Sequence, residues 1–129
     1  MWKEITIISV ILIIVIGGDI FTHNYTKKSV EMMHEQIDDL TTDLINNIDN
    51  EELVESKYNN ILSLWEDRFK VLAFYLEHDE LEKIKTELVA LKANLDVGEY
   101  EKGVEELEKC KYILEHVQEK EQFSLMNVF

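Results

Sequence analysis

Glu31 and His34 stand three residues apart in Glu31-Met32-Met33-His34. On a helix this Glu-x-x-His spacing puts a carboxylate and an imidazole on one face, as di-iron helical bundles do. Such a site needs two copies of the motif and a further glutamate from each of two other helices. The other histidines, His23, His78 and His116, have no glutamate three residues before them, so a metal or other cofactor is not expected. Cys110 is the sole cysteine, which excludes an intramolecular disulfide, and with no motif around it a small buried apolar residue is expected rather than a nucleophile. The chain has no phosphate-cradling glycine loop, no G-x-S-x-G elbow, no C-x-x-C and no H-E-x-x-H. Acid, base and nucleophile do not converge in the sequence, so no catalytic residue is assigned and an enzyme is not expected. Trp65, Phe69, Phe74 and Tyr75 concentrate aromatic surface, but their helical spacing points to core packing rather than a ligand box.

The elements that must position these residues read as helices. Proline is absent and there are only four glycines among 129 residues, so the strongest helix breakers are missing. Val30, Met33, Ile37, Leu40, Leu44 and Ile48 recur at steps of three and four, predicting a helix over about 22–48. Asp49 with Glu52 reads as a capping box opening a second helix, 51–77, with a stripe of Val54, Tyr58, Ile61, Trp65, Phe69, Leu72 and Leu76. His78-Asp79 ends it, and Asp79 with Glu82 repeats the cap signature for a third helix, 80–95, carrying Leu81, Ile84, Leu88, Leu91 and Leu95. A fourth helix, 99–118, shows Tyr100, Val104, Leu107, Cys110, Leu114 and Val117. An apolar tail over 123–129 follows, and Phe123, Leu125, Met126, Val128 and Phe129 are expected to fold back on the bundle or, alternatively, to form an interaction surface. The fold expected is all-α: an antiparallel four-helix bundle or two stacked helical hairpins. A parallel coiled coil through the first seam is the alternative.

Ahead of this acidic helical domain, 22–129, residues 1–21 read as a membrane anchor. Ile5 to Gly18 (ITIISVILIIVIGG) carries no charge, and with Trp2 and the Ile20-Phe21 pair it reaches the roughly 20 residues of a bilayer-spanning helix. The residues assigned to the anchor are Trp2, Lys3, Ile5, Ile8, Ile11, Leu12, Ile14, Val15 and Ile16, with Trp2 and Lys3 at headgroup level. Asp19 falls at the opposite interface. A cleaved signal peptide and a buried core helix are the alternatives; Ile16-Gly17-Gly18 offers only one small residue cleanly for an A-x-A-like cleavage site. Gly17-Gly18 reads as a pliable joint at the membrane exit, since no G-x-x-x-G is present, with close helix contact as the alternative. Lys3 and the amino terminus on one side match Lys27 and Lys28 on the other, so the expected orientation, head in the cytoplasm and domain outside, rests on the short head before the first apolar run. The net charge of -14 disfavours nucleic acid and anionic headgroups as partners.

Gly98-Glu99-Tyr100-Glu101-Lys102-Gly103-Val104, with Leu107 and Cys110, resembles the turn and second helix of a tetratricopeptide hairpin, where small residues sit at close helix crossings; no thirty-four-residue repeat accompanies it. Over nearly the whole chain, the anchor, Leu64-Trp65-Glu66, Glu77-His78-Asp79-Glu80, Leu88-Val89-Ala90-Leu91-Lys92, and the ending from Leu114-Glu115-His116-Val117 to Leu125-Met126-Asn127-Val128 resemble a family of uncharacterised proteins. That family is catalogued as a domain of unknown function (4363) and is found largely in clostridial and related spore-forming Firmicutes. The resemblance implies a single N-terminal anchor and an exported helical domain, and supplies no catalytic residue. Two functions are therefore expected as alternatives. One is a membrane-anchored, single-pass, non-enzymatic helical module for protein-protein interaction at the cell envelope, with an envelope protein or a second copy as partner. The other is a ligand- or metal-binding sensor domain using the acidic surface or Glu31 with His34.

Overall fold

The computed structural model describes residues 1–46 and 49–128, with side chains described through Phe123. Among the described residues there are four helices and no strand: α1 (Trp2–Ile45), α2 (Glu51–Leu72), α3 (His78–Asp96) and α4 (Tyr100–Val128). The spacing of three and four that marks each stripe is also what buries it. Val30, Met33, Ile37, Leu40 and Leu44 of α1 pack against Val54, Tyr58, Ile61, Trp65 and Leu72 of α2, Leu81, Ile84, Leu88 and Leu91 of α3, and Leu107, Cys110 and Leu114 of α4, in one core. Each fully buried Leu or Ile contributes about 1.5–3 kcal/mol relative to exposure. Ile48, the last residue of the expected first seam, lies outside the described residues.

Cross-helix contacts give the direction of every helix. α2 runs back along α1, because Lys57 pairs with Asp39 at 3.0 Å near one end while the Tyr75 hydroxyl meets Thr26 Oγ1 at 2.7 Å near the other. The Tyr58 hydroxyl donates to the Leu88 carbonyl at 3.0 Å and so ties α2 to α3. α4 returns along α1 from a crossing of Gly103 against Leu44, through Lys111 with Asp38 at 2.8 Å, to His23 with Glu121 at 3.1 Å. The helical bundle therefore packs on the second half of α1 only.

Helix ends depart from the expected ones where tertiary contacts intervene. The second N-cap is Asn50, whose Oδ1 accepts from the Leu53 N–H at 3.1 Å, one residue past the expected Asp49. α2 stops at Leu72 rather than 77, since Phe74 and Tyr75 donate to the carbonyls of Val71 and Leu72 in a tightened turn. That turn brings the Tyr75 hydroxyl to the Thr22 carbonyl of α1 at 3.2 Å. His78 opens α3 instead of ending α2, behind an extended Glu77 that makes no side-chain cap. Asp79 and Glu80 then sit in the first turn, where the positive end of the helix dipole favours them. Gly98 has φ 75° and ends α3 as the left-handed residue past its cap, with the Glu99 N–H reaching back to the Asn94 carbonyl at 2.9 Å. α4 does not end near Gln118 but continues to Val128, there being no glycine or proline after Gly103 to stop it.

Candidate functional site

α1 leaves the bundle at its Gly18-to-Thr26 stretch, and a cavity of about 740 Å³ opens there between three segments. α1 contributes Gly18, Asp19 and Thr22, the α2–α3 turn contributes Tyr75, Leu76, Glu77 and Glu80, and α4 contributes His116, Val117, Glu119, Lys120, Glu121 and Phe123. The wall is part apolar and part acidic. Lys120 Nζ bridges Glu77 at 3.3 Å and Glu80 at 3.8 Å. Glu121, 9% exposed, is paired with His23 Nδ1 at 3.1 Å, which ties α4 to α1. Asp19 Oδ2 is shielded and has no hydrogen-bond partner. On the same stretch of α1, Tyr25 lies under Arg68 at 4.9 Å and stacks on Phe21.

The residues singled out by spacing fall in different places. Glu31 is exposed, while His34 turns its Nε2 inward, 4.0 Å from Glu115 Oε1 of α4; the His34 neighbour is thus on another helix. His78 pairs with Glu82 at 3.2 Å and meets the Phe69 ring edge-on. His116 stacks parallel to Tyr112 and lines the cavity. Among the described residues no three of His, Cys, Asp and Glu gather as a metal would require. Cys110 is buried, and burial, with Glu87 and Glu106 nearby, pushes its thiol up to about 12, so it stays protonated and unreactive at neutral pH. Trp65 and Phe69 pack edge to face in the core, whereas Phe74 projects into solvent, 89% exposed.

The N-terminal run is exposed along its whole length. Trp2, Ile5, Ile8, Ile11, Leu12, Ile14, Val15 and Ile16 all face outward, and Lys3 is exposed with them. α1 contains a stretch long and apolar enough to cross a membrane, with mean hydropathy 2.5 and none of it buried. Phe123 is exposed on α4; the side chains of Leu125, Met126 and Val128, and Phe129 altogether, lie outside the described residues. The cavity itself was missed by spacing. Its one advance sign is the lack of any breaker after Gln118, which carries α4 on to Glu121 and Phe123.

These features define a class: an acidic all-helical bundle continuous with an exposed apolar helix. Within that class, the family described as Domain of unknown function (DUF4363) matches residues 20–128, and the chain belongs to it. No curated protein and no solved structure matches the chain.

Proposed function

We propose that the chain is a single-pass, membrane-tethered, non-enzymatic helical module that presents an acidic bundle to a protein partner at the cell envelope, with the bundle outside the cytoplasm. One observation carries the reading: α1 is a single helix of 44 residues whose apolar first part is wholly exposed and whose second part is the seam of the core. From Trp2 to Phe21 it rises about 30 Å, the thickness of a bilayer's hydrocarbon layer. Exposed apolar surface of that extent has no favourable place in water. An unbroken helix would hold the bundle at a fixed height and angle, unlike a flexible linker. The protonated thiol of Cys110 and the dispersal of His23, His34 and His78 onto separate carboxylates support a binding role over catalysis. The setting implied by the sequence resemblance is the envelope of a spore-forming bacterium.

The test is a paired substitution, Ile11→Glu with Ile14→Glu. Carboxylates at the middle of a span cost about 2.5–3.5 kcal/mol each, so the variant is expected in the soluble fraction with unchanged helix content and melting midpoint. Retention in membranes after an alkaline wash would overturn the tether. For the partner, a photocrosslinker at exposed Tyr112 is expected to join the chain to an envelope protein or a second copy; adducts only to cytoplasmic proteins would contradict the orientation.

A second reading, a ligand-binding sensor, is favoured by the cavity beside Asp19 and Glu121. In that reading an occupant wedged between α1 and α4 would act directly on the spanning helix. A melting midpoint that ignores both cationic and zwitterionic amphiphiles would remove it.

A further inference from the structure

Three phenylalanines far apart in sequence come to one end of the bundle. Phe21 is on α1, Phe74 is in the α2–α3 turn and Phe123 is on α4, and they are 57%, 89% and 66% exposed. Their common level is fixed by neighbours: Tyr75, next to Phe74, bonds to Thr22 and Thr26, and Glu121, two residues before Phe123, bonds to His23. Val89, Val97 and Tyr112 are exposed elsewhere on the bundle, and scattered exposed apolar residues are ordinary for a protein surface.

The register carries α4 further. Val128 lies seven residues beyond Glu121 on the same helix, about 10 Å. Since α4 runs opposite to α1 through Lys111 with Asp38 and Glu121 with His23, that rise brings the end of α4 level with Ile16, inside the apolar run. The sequence there, Phe123 to Val128, is FSLMNV, without a charge.

We propose that this end of the bundle seats on the bilayer surface, with Phe74 and Phe123 entering the headgroup layer beside Phe21 and the last turns of α4 lying at bilayer level next to α1. The proposal rests on the reading that α1 spans the membrane. Its partner is a zwitterionic lipid interface. Exposed phenylalanines insert at the boundary of headgroups and acyl chains, while Asp19, Glu77, Glu80, Glu119 and Glu121 outnumber Lys120 at the same end, leaving it net negative, which repels anionic headgroups and suits the ammonium groups of zwitterionic ones. The bundle would then be held at three points, and the cavity between α1, α4 and the turn would open onto lipid.

The experiment uses the full chain in phosphatidylcholine vesicles, carrying an environment-sensitive thiol label at one of four positions: Ile11→Cys, Phe74→Cys, Phe123→Cys or Val97→Cys. All four are exposed, and native Cys110 is buried, so the unsubstituted chain serves as the unlabelled control. Lipids bearing a nitroxide near the headgroup are expected to quench the labels at 74 and 123 several-fold more than the label at 97, which sits at the far end of the bundle. A nitroxide deep in the acyl chain should quench the label at 11. Labels at 74 and 123 that behave like the one at 97, with 11 still quenched, would overturn the docking while leaving the span intact, and would assign this end to water or a protein. An unquenched label at 11 would remove the span and the docking with it.

Discussion

Glu87 of α3 and Glu106 of α4 face each other across the bundle surface, two carboxyls where one proton suffices. Hydrogen bonding to Glu106, partial burial and mutual repulsion push the Glu87 carboxyl up from 4.5 to about 7. Glu106 Oε2 is shielded and has no hydrogen-bond partner, while Lys109 reaches its Oε1 at 3.5 Å and offsets part of the shift of Glu87. A carboxyl whose pKa is higher folded than unfolded contributes stability that is fully present below pH 4.5 and lost as pH rises through about 7. Glu87→Gln is therefore expected to stabilise the bundle above pH 7 by about 1 kcal/mol, after allowing for solvent screening at a largely open site. The gain should vanish near pH 5, and urea melts at the two pH values would show it. Equal effects at both would mean that the pair does not share a proton. Gly103 makes a second prediction. A Cβ there would meet Leu95 Cδ2 at 3.3 Å, Leu44 Cδ1 at 3.4 Å and Leu91 Cδ1 at 3.5 Å. Gly103→Ala should be nearly neutral, because about 1 kcal/mol of helix propensity offsets the tight contact. Gly103→Leu should cost about 1–3 kcal/mol by overpacking the crossing of α4 with α1 and α3.

At the scale of the element, the continuity of α1 is the feature with most consequence. Gly17 and Gly18 are helical, and nothing lies within 4 Å of where their side chains would be. Replacing both with alanine should thus disturb no packing and stiffen this stretch of α1, each substitution favouring helix by about 0.8–1 kcal/mol, so that the melting midpoint does not fall. A proline at 18 should instead kink the helix, and spin-label distances between the run and α2 would separate a bent from a straight exit. The stripes of all four helices were legible in the sequence, because burying one face of a helix requires apolar residues every three or four positions. Helix ends were less so. Asp79 with Glu82 has the spacing of a cap, yet α3 opens at His78 because the Tyr75 hydroxyl draws the preceding turn onto Thr22 and Thr26, a contact between residues about fifty apart. The cavity was illegible for the same reason: Asp19, Glu77 and Glu121 share no local pattern and meet only when α1, the turn and α4 are packed. The close crossing at Gly103 agrees with what the tetratricopeptide-like resemblance of Gly98 to Cys110 implies, a small residue where helices approach closely.

For the whole molecule, charge and apolar surface are segregated along one axis. The exposed run from Trp2 to Phe21 and the phenylalanines at 74 and 123 occupy one end, and most of the 27 acidic residues lie on the bundle. That segregation is the physical basis of the proposed tether. The measurement that tests this most directly is protease treatment of intact cells, with the mass of the membrane-bound chain recorded before and after. The account predicts a chain of full mass in alkaline-washed membranes whose bundle is digested from outside. A soluble, shortened chain would show that the apolar run is removed rather than retained, and a full-mass chain protected from external protease would put the acidic bundle in the cytoplasm.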